Sequence, residues 1–169
     1  AQRPELTPAL CGKENAYLEK NSDSKFVKMM KYYLPKHKIV DSFEQLPDDV
    51  FFKFTVDVPK EKTLSTVDEI NKKFAGRVFA TSSGFGNFDL ILPHVNKAVG
   101  LEKMLASWNL TLDDLVAFGD GGNDLEMLKA AGLSYAMENG SDEVKKVADK
   151  IAPNNNDSGV LKVLADYLM

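Results

Sequence analysis

Residues 50–58, VFFKFTVDV, set Phe52, Phe54 and Val56 at alternate positions with polar residues between them, the period of two that a half-buried strand requires. A strand around Leu10 and a helix over residues 24–34 precede it. A second helix follows near residues 65–74, with Leu64, Val67, Ile70 and Phe74 read as one apolar face. Ser65 ahead of Asp68 and Thr66 ahead of Glu69 have the spacing of capping boxes at its start. RVFATSS and NFDLIL then flank GFG, the pattern of an antiparallel hairpin closed by glycines. The whole stretch reads as α+β.

Beyond Pro93 the texture changes to helix, strand, helix, strand, helix. Residues 97–107 place Val99, Leu101, Met104 and Leu105 at helical spacings. LVAF (115–118) is short, apolar and uncharged, as a strand buried on both faces must be. Residues 123–131 read as a helix ending at Gly132, a residue suited to a left-handed C-cap. LSYAM is a further strand, and helices follow over residues 141–149 and 159–168, the former with Asp142 and Glu143 in its positive first turn. Strands separated by helices pair in parallel. The expected fold class is therefore α/β: an α+β domain over residues 1–92 and part of a Rossmann-like parallel-sheet core over residues 93–169.

A chain of 169 residues, 44% hydrophobic and 27% charged, is long enough to bury a real core. No apolar stretch is long enough to cross a bilayer, no basic segment precedes an apolar one at Ala1, and the single cysteine, Cys11, forms no internal disulfide. No membrane partner is expected, and the default location is the cytoplasm. A net charge of -4 gives no footprint for nucleic acid. Lys25, Lys28, Lys31, Lys36 and Lys38 form the one basic run; they read as the solvated face of a helix, with a phosphate contact as the alternative.

The chemistry concentrates in GDGGND, residues 119–124, directly after the LVAF strand. Ligands of open parallel sheets bind beyond the carboxyl ends of the strands, so Asp120 belongs in that crevice. Gly121 and Gly122 allow a sharp turn and close backbone approach. A helix start needs one Asn or Asp as its N-cap, but this loop carries Asp120, Asn123 and Asp124 within five positions. A metal or phosphate site and a plain capped turn both remain open on spacing. Carboxylate and amide oxygens suit a hard cation, and no clustered His or Cys recruits zinc. Counted from Asp120, an EF-hand would need glycine where Leu125 stands and glutamate where Ala131 stands, so magnesium fits better than calcium. Lys97, opening a helix after DLILP, could project into the same crevice or be a surface lysine.

NKAVGLEKM, GDGGND and the following LEMLKAAGLSYAM resemble the C-terminal part of the haloacid dehalogenase superfamily of phosphohydrolases, closest to the Cof-like sugar-phosphate phosphatases with a C2-type α+β cap. The resemblance runs unbroken over about residues 82–168, and the first half resembles the cap more loosely. It implies that Asp120 coordinates Mg2+ and that Asp124 supports the metal site as the second acid of the motif. It implies too that Asn123 touches the bound phosphate and that Lys97 neutralises charge on a phospho-aspartyl intermediate. Ala98 and Val99 follow the lysine, where glycine is frequent in the family. The larger departure is that no two aspartates here are separated by one residue, so the superfamily's D-x-D nucleophile is absent from these residues. Asp48 with Asp49 and Asp113 with Asp114 are adjacent pairs at expected turns.

The expected function is a magnesium-dependent phosphomonoester hydrolase acting on small phosphorylated metabolites, with sugar phosphates first among them. The expected chain is a C-terminal fragment, inactive alone, whose incomplete core could pair in a homodimer or by strand exchange. The alternative is a non-catalytic binding or assembly module. Residues 82–86 could form a substrate-facing loop or a plain hairpin turn. His94 reads as polar surface, Cys11 as a small buried residue, and Met29, Met30, Tyr32, Tyr33 and Trp108 as packing.

Overall fold

A computed structural model describes residues 6–84 and 86–168. The chain divides into two compact units, Ala1–Pro93 and His94–Met169. No helix among the described residues is long and apolar enough to cross a membrane.

The first unit holds β1 (Thr7–Gly12), β2 (Ala16–Glu19), α1 (Ser24–Tyr33), β3 (His37–Val40), β4 (Phe51–Asp57), α2 (Thr63–Lys73), β5 (Phe79–Gly84) and β6 (Asn87–Ile91). They form a six-stranded sheet of order β3-β2-β1-β4-β6-β5, antiparallel except for the β2–β3 pair. The helices take opposite faces. Phe26 and Met30 of α1 pack with Ala9 and Leu18, whereas Ile70 of α2 packs with Val56, Ala80 and Phe88. Alternation along β4 divides the faces: Val56 goes under α2, and Lys53 and Thr55 lie on the other side. Asp23 caps α1 by accepting from the N–H groups of Lys25 and Phe26. Asp49 accepts from the N–H of Glu14 and the hydroxyl of Tyr17, closing the β1–β2 turn.

Several local expectations change here. α2 begins at Thr63, before the predicted capping boxes, and has no side-chain cap; the Ser65 hydroxyl donates instead to the carbonyl of Lys62. Its buried residues are Thr63, Thr66 and Ile70, while Leu64 is 70% exposed. Seven residues make nearly two turns, so Thr63 and Ile70 share a face, but six residues separate Leu64 from Ile70 and turn it away. β2 and β3 escaped the sequence reading, being four residues each. β3 also splits the basic run: Lys25, Lys28 and Lys31 are on α1, and Lys38 is on β3. Tyr32, Tyr33 and Trp108 are exposed, so they are not core packing; Met30 and Cys11 are buried. The β5–β6 hairpin forms with Gly86 at φ 95°, and Phe85 of its turn lies outside the described residues.

The second unit holds α3 (Lys97–Ala106), β7 (Val116–Gly119), α4 (Leu125–Ala130), β8 (Leu133–Met137), α5 (Asp142–Val147), β9 (Lys150–Ala152) and α6 (Gly159–Leu168). β7, β8 and β9 form an all-parallel sheet in that order. Leu128 of α4 and Val144 of α5 pack on one face with Ala117 and Ala136. Val160 and Val163 of α6 cover the other face at Tyr135, Met137 and Ala152. A parallel sheet with helices on both faces is the α/β, Rossmann-like arrangement expected. β7 is covered fully on one face and in part on the other: Ala117 and Gly119 are buried, Phe118 is half-buried against Tyr135, and Val116, at a sheet edge, is 39% exposed. Gly132 is not a left-handed cap, since its φ is not positive. It is glycine because a Cβ would lie 2.0 Å from the Asp113 carbonyl oxygen.

Candidate active site

β7 ends at Gly119, and the chain turns through Asp120 and Gly121 into a single 3-10 turn, Gly122–Asp124, before α4. The N-cap reading of Asp124 fails, because α4 receives no side-chain cap. The carboxylate reaches backwards instead. Its Oδ2 accepts the N–H of Asp120 at 2.9 Å and that of Gly121 at 3.1 Å. Its Oδ1 accepts from the Lys97 ammonium. Asp124 is 4% exposed, so three hydrogen bonds compensate the burial of its charge. Gly119 makes room for it: a Cβ there would fall 2.6 Å from Cβ of Asp124. Gly119 is a residue the sequence reading did not single out, although its place just before the aspartate was a usable signal.

Lys97 is the first residue of α3, whose start is fixed by Asn96 accepting the N–H of Val99 at 3.0 Å. The lysine side chain is 48% exposed, so its stem lies along the unit and its ammonium meets both Asp124 and solvent. That contact ties a half-exposed lysine to the acidic loop. Asp120 differs from Asp124 in being exposed, and its carboxylate has no hydrogen bond or ion pair among the described residues. Its main chain is fixed from two sides, by the Asp124 carboxylate at its N–H and by the Ser141 N–H donating to its carbonyl at 3.0 Å. Gly140 abuts it, where a Cβ would stand 3.1 Å from Cα of Asp120. Asn123 is half-buried, its Oδ1 beside Gly121. His94 is exposed, with φ 63°, in the turn before α3.

The loop thus presents one free carboxylate, Asp120, and one amide, Asn123, while the Asp124 carboxylate holds the half-exposed Lys97 ammonium and the 120–121 backbone. Among the described residues no group of three or more His, Cys, Asp or Glu side chains gathers as a metal cage. The hard-oxygen donor set of Asp120, with Asp124 beside it in sequence, suits an ion such as magnesium that takes one or two protein carboxylates and keeps waters.

A model of the haloacid dehalogenase-like hydrolase family matches residues 2–164. The Escherichia coli protein YbjI, a 5-amino-6-(5-phospho-D-ribitylamino)uracil phosphatase, is 37% identical over 166 residues, 98% of this chain and 61% of its own length. The crystal structure of SMU.1108c from Streptococcus mutans superposes with a TM-score of 0.90 at 42% identity, covering 99% of this chain and 63% of that one. The sugar phosphatase BT4131 shares the fold, with a TM-score of 0.80 at 20% identity over 96% of this chain and 61% of that one. The chain therefore spans about three-fifths of the length of the relatives it matches.

Proposed function

Because the chain belongs to the haloacid dehalogenase-like hydrolase family, we propose that the protein carrying it is a magnesium-dependent phosphatase of small phosphorylated metabolites. The carrying observation is that the Asp124 carboxylate ties Lys97 to the 120–121 backbone while the Asp120 carboxylate is left without a partner among the described residues. Phosphoryl transfer asks mainly for placed charge, and this loop supplies both signs at the carboxyl end of a parallel strand. Asp120 would hold the magnesium ion. Bound there, the ion would neutralise charge on the phosphoryl oxygens.

Lys97 would offer its ammonium to a phosphoryl oxygen that gains negative charge, and Asp124 holds the side chain. The Asn123 amide donates to a phosphate oxygen. Asp124 acts as a positioning residue, because all its contacts are to Lys97 and to the turn. The superfamily's attacking group is not found among these 169 residues: no two aspartates are separated by one residue, and Asp49 of the adjacent pair Asp48–Asp49 is engaged in closing a turn. The chain alone is therefore expected to be inactive. The ribityl phosphate handled by the Escherichia coli relative suggests a phosphorylated polyol or sugar as substrate.

The test is phosphate release by the full-length protein from a panel of sugar and polyol phosphates, with and without magnesium. Turnover that requires the ion and disappears in Asp120→Ala supports the reading. Turnover unaffected by chelation overturns it.

A further inference from the structure

The loop after β8 meets the acidic loop from the neighbouring strand, and it holds the one asparagine of the chain that is followed by glycine, Asn139 before Gly140. Asn139 is exposed and Gly140 is buried. Packing forces the glycine: a Cβ at 140 would lie 2.9 Å from the Met137 carbonyl oxygen, 3.0 Å from Cγ2 of Val144 and 3.1 Å from Cα of Asp120. The next residue, Ser141, donates its N–H to the Asp120 carbonyl at 3.0 Å. The asparagine is engaged as well, its Oδ1 accepting the N–H of Asn155 at 2.9 Å. The Gly140 N–H donates back to the Met137 carbonyl at 2.8 Å and closes a turn. Each residue has its own structural reason. Together they set a carboxamide beside a main-chain nitrogen that no side chain shields.

We propose that Asn139 is a site of spontaneous deamidation, held back by these two hydrogen bonds and released when the turn opens. In the reaction the Gly140 nitrogen bonds to Cγ of Asn139 and the Cγ–Nδ2 bond breaks. Nδ2 leaves as ammonia with the proton that Gly140 gives up. The cyclic imide then takes up one water. Opening at Cγ gives aspartate; opening at the main-chain carbonyl carbon gives isoaspartate, in which the chain runs through Cβ and Cγ. No oxidant or cofactor enters, because an amide and water become an acid and ammonia. In the closed turn the Gly140 N–H is held by the Met137 carbonyl and the carboxamide is pinned by the Asn155 N–H, so neither partner is free to turn to the other. Isoaspartate adds a methylene group to the main chain where packing leaves no room, and would push Gly140 and Ser141 off Asp120. A loss of activity on that account rests on the hydrolytic reading; the chemistry at Asn139 does not.

The test is ageing of the full-length protein in mildly alkaline buffer, followed by peptide mapping at position 139 by mass spectrometry and enzymatic methylation to detect isoaspartate. Conversion should be slow in the native protein and faster by about a hundredfold in urea, about tenfold for each hydrogen bond released. Asn155→Pro removes one of the two bonds and suits the chain path. Asn154 has φ -53° and ψ 145°, the conformation a residue before proline adopts, and Asn155 opens a 3-10 turn. Conversion in this variant, shown to be folded by its thermal melt, should be about tenfold faster than in the parent. Asn139→Gln should stop it, because the longer side chain no longer closes the same ring. Should Asn155→Pro not fold, the native and urea rates of the unaltered sequence still decide. A native rate equal to that in urea, an amide at 139 that persists in urea, no acceleration in folded Asn155→Pro, or undiminished conversion of the glutamine variant would overturn the proposal.

Discussion

Two lysine–aspartate pairs, one in each unit, are built differently. In the parallel-sheet unit, Asp124 is gripped by two backbone N–H groups before it meets Lys97, so the pair inherits the rigidity of the turn. In the antiparallel unit, Lys53 and Asp89 meet side chain to side chain across neighbouring strands, with no backbone bond to the carboxylate or the ammonium among the described residues. The first arrangement ties the pair to the backbone, the kind of placement catalysis needs. The second rests on side-chain contact alone. The same two residue types therefore give a fixed charge in one place and a compliant hydrogen-bonding pair in the other.

The sharpest test of the fixed site is Asp120→Ala in the full-length protein. Its carboxylate holds nothing in the fold, so turnover should fall by about a thousandfold, or about 4 kcal/mol, while the melting temperature moves by no more than about 2 °C. Asp124→Ala should behave in the opposite way on stability. It strands two backbone donors and Lys97, and should lower unfolding free energy in urea by about 2–4 kcal/mol. An unchanged urea midpoint would remove the anchoring role. Gly119→Ala pushes a methyl group against Asp124 and should cost about 1–3 kcal/mol on the same assay, with loss of activity through displaced Lys97. Lys53→Met, by contrast, touches only the compliant pair and should change stability by no more than about 1 kcal/mol.

The smallest effect is in pH dependence. The Ser134 hydroxyl and N–H, both donating at 2.8 Å, hold the Asp149 carboxylate below its ordinary pKa of 3.8. A depressed folded pKa stabilises the native state above the unfolded value, and that contribution is lost as pH falls from about 3.8 through the folded pKa. Ser134→Ala should bring the Asp149 titration, followed by carboxyl NMR, back towards the ordinary value and flatten this part of the acid-unfolding curve.

Much of the parallel unit was legible in sequence because its elements are bounded by strong local signals. LSYAM is β8 residue for residue, and α6 occupies the predicted residues 159–168. β9 was missed: three residues, two of them exposed, carry no periodicity to read. In the antiparallel unit β2 and β3 escaped for the same reason, and α2 was misphased because Thr63 and Thr66, polar by type, are buried while Leu64 is not. A hydrophobicity pattern cannot show that a threonine is inside. Thr63 itself is left with a buried hydroxyl that has no partner among the described residues.

The composition of the acidic loop, its place after an apolar strand and the lysine that opens α3 are properties of the sequence, because local turn and strand chemistry follows from neighbouring residues. Which of the three oxygen-bearing side chains is free was decided by tertiary structure. Asp124 turns back to the 120–121 N–H groups and to a lysine 27 residues away, and that leaves Asp120 open. Likewise the 36-residue separation of Lys53 from Asp89 carries no local signal. Strand register alone brings them together, since pairing distant strands chooses which side chains share a face.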